Sequence, residues 1–241
     1  MRSRVGLNRN WENCRLSNAL ALLGDLHGDP TALIRLDQLL SPAVPIIQVG
    51  DFGWSPKLLA QWEAVGASLH RRVYWIRGNH EHYPSMPFLN NATSVEVASN
   101  IWFVPDGHVL EIAGHRIGCL GGAASIDYQF RTLGVDWFRD ENITEQQAAR
   151  ALAWTDIDLM VTHVPPQCTI SESANPLARH RFGVATEWRD HNADVVETVW
   201  NEHGCPPLVC GHMHYAHTSA AGVRILGINE AMLWPASIFE R

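Results

Sequence analysis

Short apolar runs along the chain repeatedly end in Gly, Asp, Asn or His, and amphipathic stretches of helical length lie between several of them. Apolar runs bounded in this way are typical of buried strands, so the alternation predicts an α/β fold. In such sheets, ligands collect where neighbouring strands end in one crevice. The predicted strands are Ala19–Leu23, Ile46–Val49, Val73–Ile76, Ile157–Thr162 and Leu208–Cys210.

Helix signals follow several of these runs. Asp29 is expected as an N-cap with Pro30 in the first turn of a helix that ends near Leu40. Pro56 predicts the start of a second helix that ends near Leu69. Two further helices are predicted, with Thr144-Glu145 opening the first of them, and their approximate ranges are Thr144–Trp154 and Thr186–Glu202.

The remaining chain predicts additional strands and two irregular segments. Ile101–Leu120 alternates in strand fashion around Asp106-Gly107 and Ala113-Gly114, which indicates β-hairpins, and Val223–Phe239 also has a strand pattern. We interpret Gly121–Asn142 and Gln167–Ala185 as irregular loops over the active site. The sequence therefore predicts one domain over residues 1–241, a sandwich of mixed sheets with outer helices.

Composition narrows the possible functions. The 241 residues are 46% hydrophobic and 18% charged, as in a folded domain, and the net charge of -7 gives no basic footprint for stable nucleic-acid binding. The five cysteines are odd in number and form no C-x-x-C pair, which argues against a disulfide framework. We recognise no secretory leader and no apolar run of about 18 residues, so we expect a cytoplasmic protein without a membrane partner. The thirteen histidines point weakly to metal chemistry.

Five short motifs place Asp, Asn and His at the ends of the predicted strands. Taken singly, an Asp and a His near a turn are commonly a cap and a surface side chain, and a lone His is commonly structural. Metal-ligand residue types at five successive strand ends argue against these ordinary explanations. The motifs are Gly24-Asp25-Leu26-His27, Gly50-Asp51, Gly78-Asn79-His80-Glu81, Thr162-His163 and Gly211-His212-Met213-His214.

This ordered set resembles the signature of the calcineurin-like metallophosphoesterase superfamily, D-x-H, G-D, G-N-H-[DE], H and G-H-x-H, from Asp25 to His214. The resemblance implies a four-layer α-β-β-α sandwich with two mixed β-sheets, and hydrolysis of phosphodiester or phosphomonoester bonds. It also implies two divalent metal ions that share Asp51. By motif, the first ion would be bound by Asp25, His27, Asp51 and His214, and the second by Asp51, Asn79, His163 and His212.

The chemistry of these side chains is consistent with the implied activity. Mixed oxygen and nitrogen ligands suit Mn, Fe, Zn or Co. Asp25 and Asp51 bring two negative charges, whereas two divalent ions bring four positive ones. The remaining positive charge would attract a phosphate and an ionised water. The resemblance assigns His80 as the general acid for the leaving group, and we expect Glu81 to hold the His80 ring.

Candidate substrate contacts lie in the irregular segments. Residues 121–127, together with Arg131, look like an element of a bacterial and bacteriophage subgroup of the superfamily, although a glycine-permitted bend before a surface loop is the alternative. We expect Asn79 and Arg131 to contact the phosphate. Other candidates, which could equally be solvated surface residues, are Arg179, His180 and Arg181.

Several functions remain open. The leading one is a hydrolase of small or nucleotide-like phosphate esters. A metallonuclease would need a basic track and stacking aromatics. A serine/threonine protein phosphatase is disfavoured because residues 50–55 lack the arginine of the motif G-D-x-V-D-R-G that those phosphatases carry. Arg77, directly before Gly78, is nevertheless similar to an arginine of the protein phosphatase branch. A noncatalytic metal-binding scaffold is disfavoured because all the ligand positions and His80 are present.

Overall fold

A computed structural model describes residues 18–173 and 189–235, in which twelve strands and five α-helices are found. The strands are β1 (Leu20–Leu23), β2 (Ile46–Gln48), β3 (Val73–Trp75), β4 (Val95–Ala98), β5 (Ile101–Phe103), β6 (His108–Ile112), β7 (His115–Leu120), β8 (Leu159–Thr162), β9 (Leu208–Cys210), β10 (His217–Thr218), β11 (Arg224–Ile225) and β12 (Ala231–Trp234). The helices are α1 (Thr31–Leu39), α2 (Leu59–Ser68), α3 (Glu145–Leu152), α4 (Gln167–Ser173) and α5 (His191–Glu202). The five strands predicted from apolar runs are confirmed as β1, β2, β3, β8 and β9, to within two residues at each end.

The strands form two six-stranded sheets, with the orders β12-β1-β2-β3-β5-β4 and β10-β11-β9-β8-β7-β6. In each sheet the four central strands are parallel and the strand at each edge is antiparallel to its neighbour. Parallel strands end at the same edge of a sheet, so residues that follow β1, β2 and β3 are neighbours, as are those that follow β8 and β9.

The layers follow from the two-residue period of the strands. In β1, Leu20 and Leu22 pack between the sheets, whereas Ala21 and Leu23 pack on the side that carries α1 and α2. The outer face of the second sheet is covered in the same way by α3 and α5. Both faces of each sheet are therefore buried, and the predicted four-layer α-β-β-α sandwich is confirmed.

Most helices begin later than the sequence suggested. Pro30 is the N-cap of α1 and not its first residue, although Asp29 Oδ1 does accept a hydrogen bond of 2.9 Å from the Thr31 N–H. Pro56 lies in a turn before α2. Helix α3 begins as predicted, because Thr144 forms a capping box with Gln147. Helix α5 begins only at residue 191, and the predicted start at 186 lies outside the described residues.

The two predicted hairpins have different outcomes. The turn at Ala113-Gly114 does join β6 to β7. Asp106-Gly107 is not a hairpin turn, because β5 lies in the first sheet and β6 in the second. That prediction was wrong because local alternation does not reveal which sheet a strand joins.

The later segments are only partly described. The segment 121–142 is irregular apart from short 3-10 turns, as predicted. Residues 167–173 form α4, which corrects the prediction of a loop there, and 174–185 lie outside the described part of the chain. The predicted C-terminal strands are found up to residue 234. Among the helices of the described chain, none combines the length and the apolar character needed to cross a bilayer.

Candidate metal centre

The seven predicted ligands lie just beyond the C-terminal ends of five strands, three from the parallel part of the first sheet and two from that of the second. Three strands of the first sheet supply both carboxylates, the amide and one imidazole, and two strands of the second sheet supply the other imidazoles. In chain order these residues are Asp25, His27, Asp51, Asn79, His163, His212 and His214.

Four of these residues have left-handed backbone conformations, with φ of 48° at His27, 54° at Asp51, 65° at His212 and 60° at His214. Such conformations cost non-glycine residues on the order of 1–3 kcal/mol and concentrate at functional sites. The left-handed turn at His27 brings its Nε2 atom to 3.7 Å from Asp51 Oδ2.

The glycines of the motifs allow the carboxylates to approach the backbone. A Cβ added to Gly78 would lie closer than 3.0 Å to both Oδ1 and the backbone nitrogen of Asp51. A Cβ added to Gly211 would meet Oδ1 of Asp25 equally closely. At these two positions any larger residue would push a carboxylate out of place.

One group of donor atoms is formed by Asp25, His27, Asp51 and His214, which each offer one atom within 4.8 Å of the others. The Nε2 atoms of His27 and His214 are 3.0 Å apart, and His214 Nε2 is 3.5 Å from Asp25 Oδ2. Within the described chain, the buried Oδ2 of Asp51 has no hydrogen-bond partner. A buried, unpaired carboxylate oxygen facing imidazole nitrogens is an arrangement that fits a cation.

A second group surrounds Asn79. Its Oδ1 is 3.1 Å from His163 Nε2 and 3.1 Å from His212 Nδ1, while Asp51 Oδ1 is 3.3 Å from His163 Nε2. His163 Nδ1 is 3.0 Å from the carbonyl oxygen of Val49, which can only accept a hydrogen bond, so Nδ1 carries the hydrogen and Nε2 is the atom presented to the group. The two oxygens of Asp51 therefore face different groups.

Asp25 and His163 both have raised pKa values and so retain their protons more readily, because buried carboxylates lie close together in the centre. Burial raises the pKa of Asp25 to about 7, and the charge of Asp51 adds to the rise. Burial acts to lower the pKa of His163, but the charges of Asp51 and Asp25 outweigh it and raise that pKa to about 9. A bound cation would supply the positive charge that these protons provide.

His80 and Arg131 lie side by side next to this centre. His80 Nε2 is 4.0 Å from Asp51 Oδ2, and one terminal nitrogen of Arg131 is 2.7 Å from the same His80 atom. Arg131 also pairs with Asp127 at 2.9 Å. Burial lowers the pKa of His80 to about 4, with Asp51 opposing the shift and Arg131 adding to it. The imidazole is therefore neutral at neutral pH in the free protein.

A cleft of about 820 Å³ opens beside His80 and Arg131. Its walls include apolar Val135 and Phe138 together with Lys57. The cleft is large enough for an organic group of small-molecule size.

Glu81 does not hold the His80 ring as expected. Its carboxylate instead accepts hydrogen bonds from four backbone N–H groups, those of Phe52 at 2.8 Å, Gly53 at 3.0 Å, Trp54 at 2.6 Å and Gly78 at 3.4 Å. Burial, with Asp51 adding, raises the pKa of Glu81 to about 7 against these hydrogen bonds. Glu81 thus fixes the turn that follows Asp51 and has no contact with the reacting side of His80.

Two residues with no role assigned from the sequence lie behind Asn79. Asn79 Nδ2 donates to Ser125 Oγ at 3.0 Å, and Ser125 Oγ donates to Glu141 Oε2 at 2.7 Å. Ser125 belongs to the glycine-rich segment 121–127, which was the available signal, whereas no local pattern singled out Glu141.

Arg77 is unavailable for phosphate. Its guanidinium is fully buried and pairs with Asp106 at 2.5 Å, and it also bonds the Tyr83 hydroxyl and the carbonyl oxygen of Glu141. Arg77 therefore stabilises the fold, and its similarity to the protein phosphatase branch does not supply a phosphate contact. The other candidate arginines, Arg179 and Arg181, lie with His180 outside the described residues.

Among the comparisons with known proteins, the family model is the one that agrees with this geometry. The family model described as "Calcineurin-like phosphoesterase" matches residues 19–216. No curated protein sequence matches the chain. Solved structures that match include a protein of unknown function, AQ665, from Aquifex aeolicus (12% identity, 89% of this chain and 95% of that chain, TM-score 0.42). Another is the phosphopantetheinyl hydrolase PptH from Mycobacterium tuberculosis (13% identity, 88% and 91%, TM-score 0.45).

Proposed function

The chain belongs to the calcineurin-like phosphoesterase family, and from that premise we propose that it hydrolyses small or nucleotide-like phosphate esters with two divalent metal ions. The observation that carries the proposal is the position of Asp51. One of its oxygens faces His163, and the other is unpaired within the described chain and lies 3.7 Å from His27 Nε2. A carboxylate placed between two donor groups is suited to bridge two cations.

The donor set fits the ions that the family implies. Carboxylate, amide and imidazole donors together suit Mn, Fe, Zn or Co. When bound, such ions lower the pKa of a water molecule and neutralise charge on the phosphoryl oxygens. One ion would be held by Asp25, His27, Asp51 and His214, and the other by Asp51, Asn79, His163 and His212.

His80 and Arg131 are the residues that would act on the leaving group and on the phosphoryl group. His80 stands between Asp51 and the cleft, and Arg131 donates to its Nε2 atom in the free protein. When Arg131 turns to the phosphoryl group instead, a protonated Nε2 can donate its proton to the leaving oxygen. The negative charge of a substrate beside the ring favours the protonated imidazole, which burial and Arg131 disfavour in the free protein. Arg131 positions this ring and contacts the phosphoryl group together with Asn79, while the organic part of the leaving group occupies the cleft.

The metallonuclease alternative has less support. Lys57 and Arg131 at the cleft are balanced by Asp127 and Asp136, so the described cleft presents no basic track for a nucleic-acid backbone. The serine/threonine protein phosphatase alternative loses its remaining similarity because Arg77 is buried and paired. These observations favour a small-molecule ester over a macromolecular substrate.

The test is an assay of the metal-stripped protein with and without Mn²⁺, on p-nitrophenyl phosphate and bis-p-nitrophenyl phosphate. Turnover should require Mn²⁺, and the preferred ester separates monoesterase from diesterase activity. Asp51→Asn should lose both bound metal and turnover. His80→Ala should keep its metal and lose about 10²- to 10⁴-fold in kcat. Arg131→Ala should keep its metal and raise KM.

Two control variants match these changes. Asp156 is exposed and precedes β8, and His203 precedes β9, so both lie at the end of the second sheet opposite to the centre. Asp156→Asn and His203→Ala should therefore keep wild-type turnover. Metal-independent turnover, or no turnover on either ester with Mn²⁺ bound, would contradict the proposal.

A further inference from the structure

Ser125 and Glu141 form a buried hydrogen-bonded pair behind Asn79, on the side away from the imidazoles. We infer that this pair fixes the orientation of the Asn79 amide and thereby sets the affinity of the centre for the second metal ion. The inference rests on the proposed function, because it concerns the ion assigned to Asp51, Asn79, His163 and His212.

The pair is held rigidly. Glu141 Oε1 accepts hydrogen bonds from the Ser125 N–H at 2.8 Å and from Trp137 Nε1 at 3.0 Å, while Oε2 accepts from Ser125 Oγ at 2.7 Å. Ser125 and Glu141 are each only 2% exposed, and Asn79 is 3% exposed. Burial raises the pKa of Glu141, and the hydrogen bonds from Ser125 and Trp137 oppose this by favouring the carboxylate.

The direction of each hydrogen bond follows from the donors that are available. A carboxylate only accepts, so the single hydroxyl proton of Ser125 points to Glu141. The serine oxygen can then only accept from Asn79, so it is the amide nitrogen that faces Ser125. The amide oxygen must therefore face the imidazoles, where it can bind a cation.

A flipped amide would have two defects. It would leave the Asn79 oxygen facing the Ser125 oxygen without a proton between them, and it would aim an NH₂ group at the metal position. Glutamine at position 141 reverses this preference without changing the volume. Oε1 must remain an oxygen because Ser125 N–H and Trp137 Nε1 both donate to it, so the new NH₂ group takes the place of Oε2 and donates to Ser125 Oγ. The hydroxyl proton is then free to point at Asn79 and to favour the flipped amide.

The experiment compares Ser125→Ala and Glu141→Gln with wild type by calorimetric titration of Mn²⁺ and by counting bound ions after dialysis. Loss of a residue that orients a metal ligand typically weakens metal binding about 10- to 100-fold. We expect that loss for the second ion in both variants, with the first ion unaffected. The double variant should be no worse than the weaker single variant, because both act through one amide.

Matched controls are Ser68→Ala, whose hydroxyl bonds the Val65 carbonyl in α2, and Glu202→Gln, which is exposed. A role that was merely structural would lower the thermal midpoint and weaken both ions together. Two ions in wild type with unchanged second-ion affinity in both variants would overturn this inference alone. Fewer than two ions in wild type would overturn the proposed function as well.

Discussion

The carboxylate of Glu81 organises the turn after Asp51, and Glu81→Gln tests whether that is its whole role. Oε1 accepts from the Phe52 N–H and, over a long 3.4 Å, from the Gly78 N–H, whereas Oε2 accepts from both Gly53 and Trp54. In the least damaging placement of glutamine, the new NH₂ group replaces Oε1. The Phe52 N–H then loses its acceptor, together with the long bond from Gly78, and the other two hydrogen bonds change from charged to neutral.

The expected cost can be built from these contacts. A buried donor left unsatisfied costs about 1–3 kcal/mol. Loss of the charge adds little to this cost, because burial raises the pKa of Glu81 to about 7 and therefore already opposes the ionised carboxylate. Glu81→Gln should therefore lower the free energy of unfolding by about 1–3 kcal/mol. It should also weaken Mn²⁺ binding, because Asp51 immediately precedes the loosened turn.

The assay is urea denaturation of the metal-free protein, with Glu202→Gln as the control because Glu202 is exposed at the end of α5. A loss of less than about 1 kcal/mol would contradict the prediction, since that is below the cost of a single unsatisfied donor. Unchanged stability and unchanged metal binding with lost turnover would refute the reasoning, and would restore a role for Glu81 at His80.

Two other substitutions test the centre and the fold. Gly78→Ala should abolish Mn²⁺ binding in a calorimetric titration, because its Cβ would displace Asp51. The control Gly204→Ala meets no atom within 4 Å and, although the φ of 72° there strains an alanine backbone, it should bind Mn²⁺ normally. Retained binding in Gly78→Ala would contradict the argument. Burial acts to raise the pKa of Asp37, but the hydrogen bond from Arg71 outweighs it and lowers that pKa. Asp37→Asn should therefore cost about 1–3 kcal/mol in urea denaturation at pH 7. The difference should shrink as the pH falls below about 4 and the wild-type carboxylate is protonated, and a pH-independent difference would contradict this prediction.

Much of the fold could be predicted because five of the central parallel strands are buried on both faces. Apolar runs such as β1 and β8 carry that information locally, and their polar ends lie at one edge whenever the strands are parallel. The connection from the first sheet to the second at Asp106-Gly107 could not be predicted in this way. Membership of β5 and β6 in different sheets depends on contacts distant in sequence, which no local pattern encodes.

The candidate site, like the fold, has a part that local sequence predicts and a part that depends on contacts distant in sequence. The convergence of the motif residues was predictable because each follows a strand. The partners of Glu81 were not, because its carboxylate reaches back 27 residues to the Trp54 N–H. Ser125 and Glu141 contact the site only through Asn79, so their positions depend on how the irregular segment folds over β3. The sequence identifies groups that touch an ion more readily than groups that orient them.

Asp51 also connects the two sheets, because it contacts a ligand residue of the other sheet. Asp51 follows β2 of the first sheet, and His163, which lies 3.3 Å from it, follows β8 of the second. The sheets themselves are joined by fully buried apolar residues such as Leu22 and Val161. A bound ion would therefore add polar links between the sheets at the centre to the apolar contacts that already join them.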